Sequence, residues 1–184
     1  LHNNRFTTAT TADSELGWAV MGGVTINLPM IAAGDQLSVQ AVYADGATYY
    51  TGTRWSRFEG VNTFTAAGVR VGNIFNGDTS ATTFRSTKAW SVAAGFVHNW
   101  TPQISTAITG TYVDVNNPNT VTAFADWDAY TIMLTNTYRP VAGLSISAEV
   151  AYENVDVNNV GSAIGVAVGD RDYWAGLLRI QRDF

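Results

Sequence analysis

Apolar residues alternate with small or polar ones along several stretches of the chain, and residues 90–100 show the pattern most clearly. One set of alternate positions there is mostly apolar and begins at Trp90 and ends at Trp100. A period of two places the two sets on opposite faces of a β-strand. At about 3.4 Å per residue and a tilt of about 45°, such a strand spans roughly 25 Å of height. The apolar face therefore matches the thickness of a membrane's apolar layer.

The same alternation recurs along the chain, and no segment shows a helical period or a capping box. The predicted strands lie within residues 18–28, 37–43, 90–100, 104–112, 130–138, 144–152 and 174–184. We therefore predict an all-β chain that forms part of a transmembrane antiparallel β-barrel. Its apolar face, which is bounded by aromatic residues at the strand ends, would contact lipid, and its other face would contact water. The predicted interfacial girdle consists of Trp18, Trp90, Trp100, Tyr112, Tyr130, Tyr138, Tyr152 and Trp174.

The connections between these strands fall into two classes. Short ones occupy residues 29–35, 101–103 and 139–143, whereas residues 114–126 and 154–170 form long loops rich in Asn, Asp, Gly and Thr. Bacterial outer-membrane barrels have short periplasmic turns and longer extracellular loops. The asymmetry predicts that the short turns face the periplasm.

Residues 45–88 admit two interpretations, one long loop or a hairpin of two weak strands near residues 49–57 and 64–74. We favour the hairpin, because Val69 and Val71 alternate with smaller or polar neighbours. Either interpretation gives an odd strand number, seven or nine, and puts residue 1 at the outer surface. Since complete single-chain bacterial barrels have an even number of strands, we expect residues 1–184 to be one barrel segment, the C-terminal half of a larger barrel.

Composition agrees with this fold and excludes several functions. Charged residues make up only 14% of the 184 residues, and the net charge is −5, which argues against nucleic-acid binding. The chain has no cysteine, so it can form neither disulfides nor a thiolate metal site. No apolar run is long enough for a transmembrane helix.

Three segments carry a family resemblance: residues 90–102, the 139–143 turn leading into 144–152, and the ending at 174–184. They resemble the general porins of alphaproteobacteria. The resemblance implies a sixteen-stranded, homotrimeric barrel of a Gram-negative outer membrane, in contact with lipid and lipopolysaccharide. It also implies an assembly signal at Phe184, although Arg182 stands where the general form of that signal has an apolar residue.

The function that the resemblance implies is passive diffusion of small hydrophilic solutes and ions through a water-filled channel, with no enzyme activity and no cofactor or metal. Selectivity would come from charges on the pore wall. The family narrows its lumen with a loop from the N-terminal half, so this chain would supply the facing wall. The candidate pore-lining residues are Arg70, Arg179, Glu149, Glu153, Arg54 and Arg57.

Other interpretations remain open from the sequence. His98 could be catalytic on the outer wall, but a polar side chain at headgroup level is the simpler explanation. Loop carboxylates and amides could bind Ca²⁺, although none follows a calcium-loop spacing. The small or polar outward residues are either trimer contacts or tolerated breaks in the strands: Gly22, Gly110, Asn136 and Gly176. The rival fold classes are a small complete barrel with a structural or adhesive role and a soluble β-sandwich binding domain.

Overall fold

The computed structural model describes residues 2–8, 11–52, 64–66, 69–71, 77–80, 83–117, 126–158 and 171–183. The strands in chain order are β1 (His2–Thr8), β2 (Thr11–Asn27), β3 (Gln36–Asp45), β4 (Phe64–Ala66), β5 (Val69–Val71), β6 (Gly77–Ser80), β7 (Thr83–Ser86), β8 (Lys88–Asn99), β9 (Ile104–Asn116), β10 (Asp126–Val141), β11 (Leu144–Asn158) and β12 (Arg171–Arg182). A short 3₁₀ turn, η1 (Thr48–Thr51), follows β3. The all-β prediction is confirmed.

Seven long antiparallel strands form one sheet in the order β2-β3-β8-β9-β10-β11-β12, which we call the wall. β1 adds an eighth strand at the edge of the sheet, where it pairs with β2 from His2↔Gly17 to Thr8↔Thr11. The sequence analysis missed β1, because its residues are mostly polar and carry no alternation. The sheet is open and is consistent with part of a barrel wall.

The registers place every predicted apolar set on one face of the wall. Across four neighbouring strands, for example, Ala41 pairs with Val92, Val92 with Tyr112, and Tyr112 with Tyr130. Directly paired residues project from the same face of a sheet. We call this the outward face and its reverse the inward face.

The connection between β3 and β8 differs from the favoured expectation. β3 pairs with β2 on one side and with β8 on the other over its whole length, from Gln36↔Val97 to Asp45↔Lys88. Neither of its edges is free to accept a further strand. The favoured barrel hairpin is therefore wrong: β4 pairs only with β5, β6 pairs only with β7, and the residues from Thr48 to Thr51 form η1. The rest of the expected 49–57 strand lies outside the described residues.

Tight turns join the strands at one end of the wall, the short-turn end. After β2, the Leu28 amide donates to the Asp35 carbonyl at 2.8 Å. After β10, only Ala142 and Gly143 intervene before β11, and Gly143 has a φ of 73°. β10 therefore extends beyond its predicted end, with a register shift between Tyr138 and Val141. The opposite end, which carries the longer connections, is the long-loop end.

The described buried apolar residues are few and, apart from Trp127, small; all but Ala47 lie on the inward face near the long-loop end, for example Val42, Ala89 and Val155. The outward apolar residues stay exposed, with Val92 at 36% and Ile132 at 51%. A soluble sandwich would cover that face with a second sheet, whereas the other described sheets, β4–β5 and β6–β7, have two strands each and the outward apolar residues remain exposed. Within the same residues, no helix combines the length and the apolar character needed to cross a membrane.

Candidate pore wall

One aromatic ring from each wall strand lies on the outward face toward the long-loop end. We call these seven rings the aromatic belt: Trp18, Tyr43, Trp90, Tyr112, Tyr130, Tyr152 and Trp174. Ring centroids lie 5.5 Å apart in Trp18–Tyr43 and 4.9 Å apart in Tyr152–Trp174. Such a continuous row is the arrangement that a membrane–water interface favours, since Trp and Tyr combine an apolar body with a polar end.

Polar groups on the outward face begin just beyond the belt. The Tyr152 hydroxyl donates to Asp172 Oδ1 at 2.8 Å, and Asn154 Nδ2 donates to the same oxygen at 2.8 Å. Asp114 pairs with Asp128 across the neighbouring strands at the same end. The belt tyrosines therefore lie between an apolar region on one side and carboxylates on the other.

On the short-turn side of the belt, the outward face becomes an apolar band. No Asp, Glu, Lys or Arg occupies an outward position between the belt and the level of Tyr138 in the wall strands that the structure describes. Large apolar side chains fill much of the band, with Leu178 69% exposed and Ile180 68% exposed. At its lower edge, Trp100 Nε1 donates to Thr106 Oγ1 at 2.9 Å. An exposed apolar surface of this extent is unusual for a soluble monomer.

The inward face is rich in hydroxyl, amide and small side chains. One continuous row across five strands consists of Gln40, Ala93, Thr111, Thr131 and Glu153. Thr131 Oγ1 donates to Glu153 Oε2 at 3.2 Å across a strand pair. This face is suited to water, whereas the outward band is suited to an apolar environment.

A family model described as a porin subfamily matches residues 5–177. The chain belongs to this porin subfamily. Its two-faced wall is what an outer-membrane porin requires, and porins as a family are not enzymes. No curated protein and no solved structure matches the porin.

The inward charged residues of the porin whose side chains the structure describes separate along the wall. Glu153 and Glu149 lie on β11, and Thr135 Oγ1 donates to Glu149 Oε2 at 3.1 Å. Arg179 pairs with Ser147, one step nearer the short-turn end, and its guanidinium donates to Gln181 Oε1. Glu149 and Arg179 are thus diagonal neighbours across β11 and β12, about 7–8 Å apart between Cα atoms.

Arg139 is an inward residue that the sequence analysis overlooked. Its Nη1 donates to Ser105 Oγ at 3.0 Å, near the short-turn end of the wall. The sequence analysis placed Arg139 in a turn, whereas β10 continues through it to Val141. Strict alternation from Tyr138 would have put it on the inward face.

The remaining candidate residues are not brought to this face by the described structure. Arg70 lies in β5, outside the wall, so alternation within a wall strand does not apply to it and its role stays a prediction. Arg54, Arg57 and Phe184 lie outside the described residues. Trp100 and Tyr138 lie at the short-turn edge of the outward band, and Tyr43 is a belt ring that the predicted girdle omitted.

At the short-turn end, a buried polar cluster ties the β2–β3 turn to β8. Asp35 is 1% exposed, and His98 Nδ1 lies 2.6 Å from its Oδ2. The Asn99 amide donates to the other oxygen at 2.8 Å. Burial acts to raise the pKa of Asp35, but the bonds from His98 and Asn99 outweigh it, and the net pKa lies below the ordinary value.

The Asp35 contact gives His98 a structural partner. Its ring also packs edge-on against Trp100, with centroids 4.3 Å apart. Nothing in the sequence marks this contact, because 63 residues separate Asp35 from His98 and an Asp in a turn needs no distant partner. The cluster fixes a turn to the neighbouring strand rather than presenting the imidazole to a substrate.

Proposed function

We propose that this porin forms part of a water-filled channel through the outer membrane of a Gram-negative bacterium, of the alphaproteobacterial general type. Small hydrophilic solutes and ions would diffuse through it passively. The observation that carries the proposal is the uncharged outward band beneath a complete aromatic belt, backed by an inward face of hydroxyls, amides and a few charges. Lipid suits the first face and water the second. Such diffusion needs no covalent chemistry and no cofactor.

The open sheet supports a larger assembly as part of the proposal. Unpaired backbone groups at a sheet edge are unfavourable in lipid by several kcal/mol each, so both wall edges need partner strands within the membrane. We propose that further strands close a sixteen-stranded barrel and that three such barrels associate. Membrane lipid and lipopolysaccharide would then surround the remaining outward face.

Conductance across a planar bilayer tests the channel proposal directly. The porin, purified from outer membranes in detergent, is expected to give ohmic, weakly selective current. Protein that inserts in its heat-modifiable folded form but carries no such current would overturn the proposal.

Reversal potentials in a salt gradient test the inward charges. A unit charge about 7 Å from a permeating ion in water contributes about 0.6 kcal/mol, a change of about 2–3-fold in local ion concentration. Glu149→Gln is therefore expected to shift selectivity toward anions, and Arg179→Gln toward cations. Leu178→Val, an outward change on the strand that carries Arg179, is the matched control and should change neither. Equal selectivity in all variants would remove Glu149 and Arg179 from the pore lining.

A further inference from the structure

The connection that leaves β3 turns over the inward face of the wall, and we call its residues 46–52 the inward segment. The Gly46 amide donates to the Thr87 carbonyl at 2.9 Å. Gly17 precedes Trp18 of the belt and therefore lies on the inward face of β2. A Cβ at Gly17 would overlap the Gly46 carbonyl oxygen. The chain therefore passes across the inward side of the wall, where a small residue on β2 leaves room for it.

The 3₁₀ turn η1 of the inward segment packs against β3 and β8. Ala44 and Ala89 pair directly across these strands on the inward face, and both are buried. Thr48 is 0% exposed and Thr51 is also buried. The Thr51 hydroxyl donates to the Thr48 carbonyl at 2.7 Å, a buried hydrogen bond that fixes the shape of the turn. The inward segment is therefore held against the wall.

Two tyrosines occupy the remaining positions of η1. A 3₁₀-helix has three residues per turn, so Thr48 and Thr51 lie on one side of it and Tyr49 and Tyr50 lie elsewhere around it. Tyr49 is 48% exposed and Tyr50 57% exposed, and their ring centroids are 6.2 Å apart in an edge-on contact. Because the buried threonines face the wall, the two exposed rings project toward the space in front of the inward face.

The depth of the inward segment follows from a cavity of about 280 Å³ between it and the wall. Tyr50 borders this cavity on one side, and Thr111 and Thr131 border it on the wall side. These two threonines are the chain neighbours of Tyr112 and Tyr130, which belong to the aromatic belt. Tyr50 therefore lies at about the depth of the belt, within the height of the wall.

We propose that the inward segment narrows the porin's lumen near the long-loop end and that Tyr49 and Tyr50 limit the size of the solutes that pass. The width of a pore is one of the properties that set its selectivity. The proposal rests on the channel function, because a size limit applies only to a lumen that conducts solutes. The segment is separate from the loop of the N-terminal half that the family resemblance implies.

Conductance in the presence of neutral polyethylene glycols of graded size tests the size limit. A polymer that enters the lumen lowers the single-channel current, whereas one that is too large leaves the current unchanged. The double variant Tyr49→Ala/Tyr50→Ala should admit polymers that the wild-type channel excludes. Tyr138→Ala, which removes an exposed ring from the outward face, is the matched control and should keep the wild-type size limit. The same limit in wild type and the double variant would overturn the proposal.

Thiol labelling tests the position of the inward segment separately. The chain has no cysteine, so Tyr50→Cys gives a single site for a bulky, water-soluble thiol reagent. The attached reagent should reduce the current, whereas the same reagent on Tyr138→Cys should not. Labelling of Tyr50→Cys without loss of current overturns the proposal and leaves the channel standing.

Folded wild-type protein that carries no current would instead overturn the channel function, and the size limit with it. Heat-modified electrophoretic mobility checks that each variant is folded. If the double variant fails to fold, Tyr50→Ala provides the same comparison of size limits with wild type.

Discussion

The strongest test of the lipid-facing assignment compares Leu134 and Met133, adjacent residues on β10 whose side chains project from opposite faces. Leu134 lies four residues from Tyr130 of the belt and four from Tyr138. At about 3.4 Å per residue and a tilt of about 45°, it is roughly 10 Å below the belt, close to the middle of the bilayer. Met133 is at nearly the same depth on the inward face.

The expected effects of arginine at the two positions differ strongly. Arg at the bilayer midplane on the lipid face is unfavourable by about 2–4 kcal/mol. Leu134→Arg should therefore lower the folding equilibrium constant by about 30-fold to 1,000-fold. Met133→Arg places its charge on the water side and should reduce stability by less than about 1 kcal/mol. Urea titrations in phosphatidylcholine vesicles, followed by tryptophan fluorescence, measure both. Equal losses for the two variants would refute the assignment of faces.

A labelling experiment separates lipid contact from burial in a dry protein interior, which would also disfavour Arg at Leu134. The chain has no cysteine, so Leu134→Cys and Met133→Cys each give a single site for a nitroxide label. Oxygen, which partitions into lipid, should relax the label at position 134 more strongly. A water-soluble nickel complex should relax the label at position 133. A label at 134 that neither reagent reaches would mean that protein covers the outward face.

Two further predictions concern the short-turn end. Asp35→Asn should destabilise the porin near neutral pH. Because the folded pKa of Asp35 lies below its ordinary value of 3.8, the stabilisation by its carboxylate is present above that value and is lost as the pH falls through the folded pKa. The urea midpoints of wild type and variant should therefore converge in acid. A difference between the two midpoints that stays constant with pH would contradict this account. Gly143→Ala should be unfavourable by at least about 1–2 kcal/mol, because φ is 73° and a Cβ would lie 2.6 Å from the Asp183 carbonyl oxygen. Gly110→Ala, whose Cβ meets nothing within 4 Å, is its control, and equal urea midpoints for the two variants would be the contrary result.

The sequence predicted the wall strands because lipid on one side and water on the other impose a strict period of two. It could not place β5, since the alternation around Val69 and Val71 is equally compatible with a wall strand and with a separate ribbon. Strand pairing decides between them: β3 pairs with β2 on one edge and with β8 on the other, so no edge of β3 remains for β5. Trp127 was missed for a related reason. Its inward position follows from alternation with Tyr130, but the burial of its side chain, which is 5% exposed, depends on tertiary packing that no periodicity predicts.

The two faces together restrict where this porin can control selectivity. An uncharged outward band leaves only the inward face for charges at that depth, and the inward wall charges whose side chains the structure describes lie on β10, β11 and β12: Arg139, Glu149, Glu153 and Arg179. The carboxylates lie toward the long-loop end and the guanidinium groups toward the short-turn end. An ion following this side of the wall therefore meets an acidic region and then a basic one. The acidic and basic regions favour ions of opposite sign, so their effects on selectivity nearly cancel in the wild type. Removing one charge upsets this balance and should therefore change the measured selectivity.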